Sequence, residues 1–371
     1  MDFSHSQEQE LLQREMRHFL DAEYPKSVVR ELEASELGYS PDLWKKMADL
    51  GWVGLIIPEE YDGAGGNLLD LAVLFEEIGR AVCPCPMFST VVLGALPVLE
   101  KGNEEQKNNI LSRVASGEYS LTLAFTEPEA DYEPGFIATS ASYNNGGFTI
   151  NGTKLFVQNA HIVDYLLVVA RTSNGGSENE GLSVFIVDSK ASGINLTPLK
   201  TISADRLFEV EFNDTASSVV LGEINTGWPL VESTLRRATA IRCVEMVGLA
   251  QKALELTNEY SKTRIQFDRP IGSFQAVQHQ LVDMFIDIEG ARWTAYQAVW
   301  RLDKGLPAMR EVSIAKAWTS NTCQRVIYGA QHIHGGVGMD MDYDLQFYFR
   351  RAKALELSFG TAPVHTANIQ I

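Results

Sequence analysis

The strongest constraint on the fold is a change in hydrophobic periodicity that occurs twice along the chain. Residues 1–118 carry apolar side chains at the i, i+3 and i+4 spacing that is typical of amphipathic helices. Residues 119–222 form short, alternating segments rich in β-branched and aromatic residues. Residues 223–371 return to helical spacing in four long patterns, which predicts an antiparallel bundle. We therefore predict an α+β multidomain protein with these three domains.

Local signals predict several element boundaries. Ser40 followed by Pro41 predicts a helix that begins at the proline, because serine caps helices and proline suits the first helical position. The predicted strands cover residues 119–125, 135–143, 147–157, 165–172, 182–188 and 207–212. Turns are expected at residues 144–147 and at Asn151–Gly152, and a solvated loop is expected at 172–181.

The charge of the chain disfavours several classes of partner. Its 48 acidic and 31 basic residues give a net charge of −17, which argues against binding of nucleic acid or an anionic membrane. We see no signal peptide at the start and no apolar run that could span a bilayer. The cysteines have no metal-binding spacing and suit a reducing compartment, so we expect a cytoplasmic protein. They are Cys83, Cys85, Cys243 and Cys323.

Two motifs carry chemistry suited to a nucleotide. The segment TRIQFDRPIGSFQ (263–275) offers guanidinium groups for phosphate, aromatic faces for a planar base and a glutamine amide. Alternatively, it is a loop between helices with Phe267 and Phe274 as core anchors. The segment QHIHGGVG (331–338) has adjacent glycines whose main chain can approach a pyrophosphate closely. Alternatively, those glycines only end a helix.

Taken together, the motifs resemble those of the acyl-CoA dehydrogenase family along essentially the whole chain. They occur in the family's order: GWVGLIIPEEYDGAGG, LAFTEPEAD, NGTKLFVQNA, TRIQFDRPIGSFQ, IHGGVG and FGT. The resemblance implies a middle β-barrel between an N-terminal helical domain and a C-terminal four-helix bundle, in a tetramer that binds FAD. It also implies α,β-dehydrogenation of an acyl-CoA thioester, with an electron-transfer flavoprotein as the electron acceptor.

The resemblance assigns two sets of cofactor contacts. Those to the adenosine side of FAD, across a dimer interface, are Arg264, Phe267, Ile271, Phe274, Gln275, His332, Gly335 and Gly336. His332 replaces a glutamine there, and a histidine can still donate to a phosphate or ribose. The flavin-side contacts are Thr126, Phe156, Gln158 and Thr361. Phe156 and Gln158 replace the family's Trp-x-Thr pattern, and bulky, acidic EADYE (129–133) replaces its usual run of small residues.

The usual catalytic base is missing from the sequence. Most of the family has a glutamate where Phe359 stands, and a minority has the base near Arg236, Arg237 and Ala238. Glu245 follows Ala238 on the same predicted helix at a distance of about two turns, and its apolar neighbours could raise its pKa. Alternatively, Glu245 pairs with Arg242 or meets a partner subunit. His334 and His332 lack acidic or cysteine neighbours, so we expect no metal site.

The retained and missing residues favour one functional hypothesis. We expect a subunit of a heteromeric acyl-CoA dehydrogenase that contributes the adenosine side of the FAD site to a homologous catalytic partner. The motifs at 260–275 and 332–345 are most similar to small subunits of steroid side-chain and pimeloyl-CoA dehydrogenases. The alternatives are a self-sufficient homotetramer with a relocated base, and a scaffold subunit without flavin.

Overall fold

The computed structural model describes residues 5–129, 132–144, 146–173, 177–217 and 219–369. These residues divide into two compact units, each assembled from separate stretches of the chain. The first unit contains the described residues up to 31, residues 67–83 and the residues from 236 onward. The second unit contains residues 32–66 and 84–235.

The N-terminal region is helical, as its periodicity predicts. Its α-helices are α1 (Gln7–Glu23), α2 (Lys26–Ala34), α3 (Pro41–Asp49), α4 (Leu68–Ala81), α5 (Leu96–Lys101) and α6 (Glu104–Ala115). A fully buried π-helix, Phe88–Ala95, precedes α5. The predicted start of α3 is confirmed, because the Leu43 N–H donates to Ser40 Oγ at 3.3 Å.

The middle region forms a mixed sheet in the second unit. Its strands are β1 (Leu121–Ala124), β2 (Ser140–Asn144), β3 (Gly147–Gln158), β4 (Tyr165–Arg171), β5 (Leu182–Asp188), β6 (Ile194–Leu199), β7 (Leu207–Ser217) and β8 (Val220–Leu221). Among the described residues, the strand order is β6-β7-β3-β2-β4-β5-β8, with β1 paired parallel to β4. Strands β6 and β8 stand at the two ends of this order. The described strands therefore form a sheet with two edges, and not the closed barrel that the resemblance implies. Inward side chains from β2, β3, β4, β5 and β7 share one apolar core.

Some predictions for the β region are corrected by the structure. Residues 135–139 are not a strand: Pro134–Phe136 is a 3-10 turn, and β2 begins only at Ser140. Asn151–Gly152 is not a turn but lies within β3, where the register to β7 shifts. Strand β6 was not predicted. Asn145 of the expected turn and residues 174–176 of the expected loop lie outside the described residues.

The C-terminal region is helical, as predicted. Its helices are α7 (Trp228–Thr263), α8 (Gln275–Asp303), α9 (Met309–His334), α10 (Leu345–Leu357) and α11 (Ala362–Ile369). Between α7 and α8, the chain forms a short hairpin of two strands, β9 (Ile265–Gln266) and β10 (Arg269–Pro270). The four long helical patterns thus correspond to α7, α8, α9 and α10.

Within the first unit, α4 and α7 cross with their main chains in contact. A Cβ added at Gly248 would lie 1.8 Å from the Glu76 carbonyl oxygen, and one at Gly79 would lie 2.0 Å from that of Glu245. Only glycine permits so close an approach. Ion pairs surround the crossing: Arg17–Glu77, Arg80–Glu255 and Arg292–Glu76 join α1, α4, α7 and α8.

Candidate functional site

The β9–β10 hairpin presents Phe267 to solvent. Phe267 and Asp268 form its two-residue turn, and both have left-handed φ angles, of 54° and 60°. Two positive φ angles are the geometry of the turn that suits the twist of a hairpin, although asparagine and glycine are the usual residues there. The Phe267 side chain is 87% exposed. The alternative that Phe267 is a core anchor is therefore wrong for the isolated chain.

The remaining residues of this motif surround the hairpin base. Phe274 is half-buried and contacts the edge of the Phe267 ring, with centroids 6.1 Å apart. Ile271 is partly buried, and its N–H donates to the Arg264 carbonyl at 2.9 Å. Gln275 is exposed at the first position of α8. The motif thus combines exposed aromatic, amide and guanidinium groups on a short, hydrogen-bonded loop.

The glycine motif lies at the end of α9. Gly335 has a φ of 65°, and a Cβ added at Gly335 or Gly336 would have nothing within 4 Å. The main chain here is therefore open to close approach from outside. His332 is exposed, whereas His334 is buried and its Nδ1 contacts the Ala330 carbonyl at 2.8 Å.

Tyr260 connects the two motifs within the first unit. Its hydroxyl donates to the His334 carbonyl at 3.4 Å, and the two rings stack with centroids 4.3 Å apart. Arg264 lies one helical turn after Tyr260, and its N–H donates to the Tyr260 carbonyl. The hairpin base and the glycine turn are therefore neighbours.

This surface fits the adenosine diphosphate tail of FAD. Arg264 is exposed, and no acidic side chain of the described residues pairs with it. Unpaired guanidinium groups suit phosphate, the open glycine main chain suits a pyrophosphate, and the exposed Phe267 ring suits a planar base. Arg264, Phe267, Gln275, His332 and the two glycines are the residues that would hold the tail.

On the sheet, Phe156 is exposed by a β-bulge. The side chains of Ile150 and Lys154 in β3 are buried. The register of β3 against β7 then shifts between Lys154 and Val157. Phe156 adopts a φ of 55° in this bulge and is 49% exposed, while Val157 is buried. Bulges re-aim side chains in this way near functional sites. Gln158, at the end of β3, is partly buried.

A buried ion pair holds Thr126 close to this bulge. Lys154 Nζ donates to Glu127 Oε1 at 2.6 Å and to the Phe125 carbonyl at 3.1 Å, and the Leu155 N–H donates to the Thr126 carbonyl. Burial lowers the pKa of Lys154 to about 8, against the opposing charge of Glu127. This pair was not predicted, although an inward-facing lysine in β3 was a readable signal in the sequence.

Position 359, just after the end of α10, carries no acid, and the carboxylate of Glu356 in the last turn of α10 is paired with Lys353 at 2.6 Å. Lys316 Nζ donates to the Leu355 and Glu356 carbonyls, at 2.6 and 3.2 Å, and closes the end of α10. Phe359 has a φ of 55°, and its carbonyl lies 2.8 Å from His365 Nε2. Thr361 follows immediately before α11. Main-chain contacts therefore hold this segment, and the side chain at position 359 is not a proton acceptor.

The other candidate base positions also lack an available carboxylate. Ala238 is fully buried, and burial lowers the pKa of the neighbouring Arg237 guanidinium to about 10. Glu245 is 9% exposed and forms an ion pair with Arg242, three residues earlier on α7. The geometry is therefore that of the alternative in which Glu245 pairs with Arg242.

The remaining predictions concern the EADYE segment, metal binding and membrane spans. In the EADYE segment, residues 130 and 131 lie outside the described residues, and Tyr132 stacks on Phe125 at 6.3 Å. Within the described ranges, no cluster of three potential metal ligands occurs. In that same part of the chain, no helix has the length and apolar character needed to cross a bilayer.

Comparison with known proteins identifies the family. The N-terminal, middle and C-terminal domains of acyl-CoA dehydrogenases match residues 6–118, 122–215 and 225–370. The chain is 31% identical to the 3-(aryl)acrylate reductase of Clostridium sporogenes, over 97% of this chain and 96% of that protein. The chain therefore belongs to the acyl-CoA dehydrogenase family.

Two solved structures are also similar. A variant of the Tcur3481–Tcur3483 steroid ACAD is 32% identical, with a TM-score of 0.88, covering 98% of this chain and 96% of that chain. A chain of the ChsE4–ChsE5 complex from Mycobacterium tuberculosis is 30% identical, with a TM-score of 0.91, covering 100% and 98%.

These similarities confirm the predicted family and fold class: N-terminal helices, a middle sheet and C-terminal helices. The family catalyses FAD-dependent dehydrogenation, so the chain is classed with flavoprotein oxidoreductases that act on CH–CH bonds.

Proposed function

We propose that this chain is a subunit of a heteromeric acyl-CoA dehydrogenase and contributes the adenosine side of the FAD site to a catalytic partner. One observation carries the proposal. The first unit exposes an unpaired surface suited to a nucleotide tail, while neither usual position for the base holds a carboxylate. Dehydrogenation of a thioester requires a base for the α-proton. A homologous partner subunit would supply it.

The relatives support a heteromer of this kind. One similar structure is that of the complex of ChsE4 with ChsE5, and another is that of the steroid ACAD Tcur3481–Tcur3483. We infer an acyl-CoA substrate with a bulky acyl chain and an electron-transfer flavoprotein as acceptor. Four free cysteines in the described residues support our proposal of a reducing, cytoplasmic location.

In the proposed mechanism this chain binds and orients. When bound, FAD supplies the acceptor for the hydride that leaves the β-carbon of the substrate. Arg264 would donate to the diphosphate, and the Phe267 ring would cover the adenine. The open main chain at Gly335 and Gly336 would allow the diphosphate to approach closely. The proton of the α-carbon would pass to a carboxylate of the partner.

The test is to express the chain alone and together with candidate partner subunits, and to record the visible spectrum of each product. We expect a flavin spectrum and turnover only with a partner that carries the glutamate absent here. Bound FAD with turnover in the chain alone would overturn the proposal. Absence of flavin with every partner of this fold would instead support the scaffold alternative.

One observation favours a second candidate, the self-sufficient homotetramer. Phe156 remains exposed by the bulge in β3, as a residue that covers a flavin ring would be. If this chain holds its own flavin, turnover by the purified homomer should occur without any partner.

We also propose domain boundaries at 118/119 and 222/223, which the positions of the three family matches support.

A further inference from the structure

A second arginine, Arg269, stands on the hairpin beside the assigned tail residues. Its guanidinium carbon lies 4.0 Å from the centroid of the Phe274 ring. Stacking over an aromatic face stabilises a guanidinium and leaves its edge N–H groups free to donate. The stack therefore fixes the position of an exposed arginine that would otherwise be mobile.

Arg269 also lies on the same face of the hairpin as Arg264. In the β9–β10 pairing, Arg269 is opposite Gln266, and the bond from the Ile271 N–H to the Arg264 carbonyl extends the ladder by one pair. Paired residues share a face, and side chains alternate along each strand. Arg264 and Arg269 are therefore diagonal neighbours, with Cα atoms about 7–8 Å apart.

The charges around this pair of arginines are unusual for so acidic a protein. The chain has 48 acidic residues, yet no acidic side chain of the described ranges pairs with either arginine. Other arginines of the first unit, such as Arg17, Arg80, Arg292 and Arg325, do form ion pairs. Two like charges held on one face without counter-ions suit a doubly charged anion.

We propose that Arg269 is a further cofactor-binding residue, held by its stack on Phe274 and donating, together with Arg264, to the diphosphate of FAD. The inference rests on the proposed function, because it assumes that this surface receives the FAD tail. It assigns one guanidinium to each phosphate. It also gives Phe274 the role of positioning Arg269, in place of a direct contact with the adenine.

The experiment measures FAD retention in the complex with the partner identified by co-expression. The variants are Arg269→Ala, Arg269→Lys, Phe274→Leu and Arg264→Ala, with Arg310→Ala as a matched control at an exposed arginine of the same unit. FAD affinity is measured by titrating the deflavinated complex and following flavin fluorescence. Circular dichroism and gel filtration check that each variant remains folded and assembled.

We expect Arg269→Ala to weaken FAD binding at least about tenfold, as loss of a charged hydrogen bond does. The FAD affinities of Arg269→Lys and Phe274→Leu should lie between those of this variant and the unchanged protein. The Arg310→Ala variant should bind FAD normally. Added ADP should compete with FAD in the unchanged complex, and less well in Arg269→Ala. Normal FAD affinity in Arg269→Ala, with a loss in Arg264→Ala, would overturn this inference alone. Normal affinity in both would overturn the proposed tail site as well.

Discussion

At the scale of single residues, exposure and ion pairing distinguish side chains that bind a ligand or partner from side chains that stabilise the fold. Phe267 and Glu245 show the contrast. Phe267 is apolar but 87% exposed, whereas Glu245 is charged but 9% exposed and paired with Arg242. An exposed, strained aromatic residue indicates a binding surface, and a buried, paired acid indicates a structural role.

Arg264→Ala should weaken FAD retention in the assembled complex. The expected loss in the free energy of FAD binding is about 1.5–3 kcal/mol, the range for a hydrogen bond to a charged group. The measurement is the FAD content of the complex after gel filtration, with Arg310→Ala as the control. Unchanged flavin content would argue against the assigned site.

Glu245→Gln should leave turnover nearly intact, because its carboxylate is engaged by Arg242 and, in the proposed heteromer, another subunit would supply the base. The variant keeps the shape of the side chain and removes its charge. The measurement is kcat of the assembled complex. A fall of several orders of magnitude would make Glu245 the catalytic base and would support the homotetramer.

At the scale of elements, the helices could be predicted and the special geometries could not. Long periodic patterns predicted α7 to α10, and Ser40–Pro41 predicted the start of α3, because each signal is local. The bulge at Phe156 depends on pairing with β7, and the Asn151–Gly152 step was mistaken for a turn for the same reason. Pairing between distant segments is not readable from local spacing. The exposure of the tail residues likewise depends on how distant segments pack.

The contact of α4 with α7 predicts a strong effect of a single methyl group. Gly248→Ala would bring its Cβ to 1.8 Å from the Glu76 carbonyl, so the helices must separate. We expect a loss of at least about 1–3 kcal/mol in the free energy of unfolding. Gly329→Ala, in α9, meets only the flexible Met284 side chain at 3.2 Å and is the matched control. Thermal unfolding of both variants tests this, and equal stability would contradict the crossing.

At the scale of the whole molecule, buried cations couple stability to pH. Lys154 and Lys316 are fully buried, and burial lowers the pKa of each to about 8, whereas an unfolded lysine has a pKa of 10.5. Below pH 8 both states bind the proton, so each lysine contributes its full burial cost. Between about pH 8 and 10.5 the unfolded state binds more protons, so each contribution to stability rises with pH.

The difference in unfolding free energy between the unchanged protein and Lys316→Met isolates this effect from other titrating groups. The unchanged protein should gain relative to the variant as pH rises from 8 to 10, at up to about 1.4 kcal/mol per pH unit. Lys45→Met, at a lysine that is 59% exposed, should show no such trend. Denaturant titrations at pH 7, 8, 9 and 10 give the comparison. A pH-independent difference would show that Lys316 does not titrate in this window.

The way the α10–α11 connection is secured has an evolutionary consequence. His365 reaches the backbone oxygen of Phe359, and Lys316 caps the preceding turn, so these two contacts do not depend on which side chain stands at position 359. A lineage could therefore discard its proton acceptor by substitution at one position without unfolding. Once another subunit performs that step, selection would act on what this one still binds.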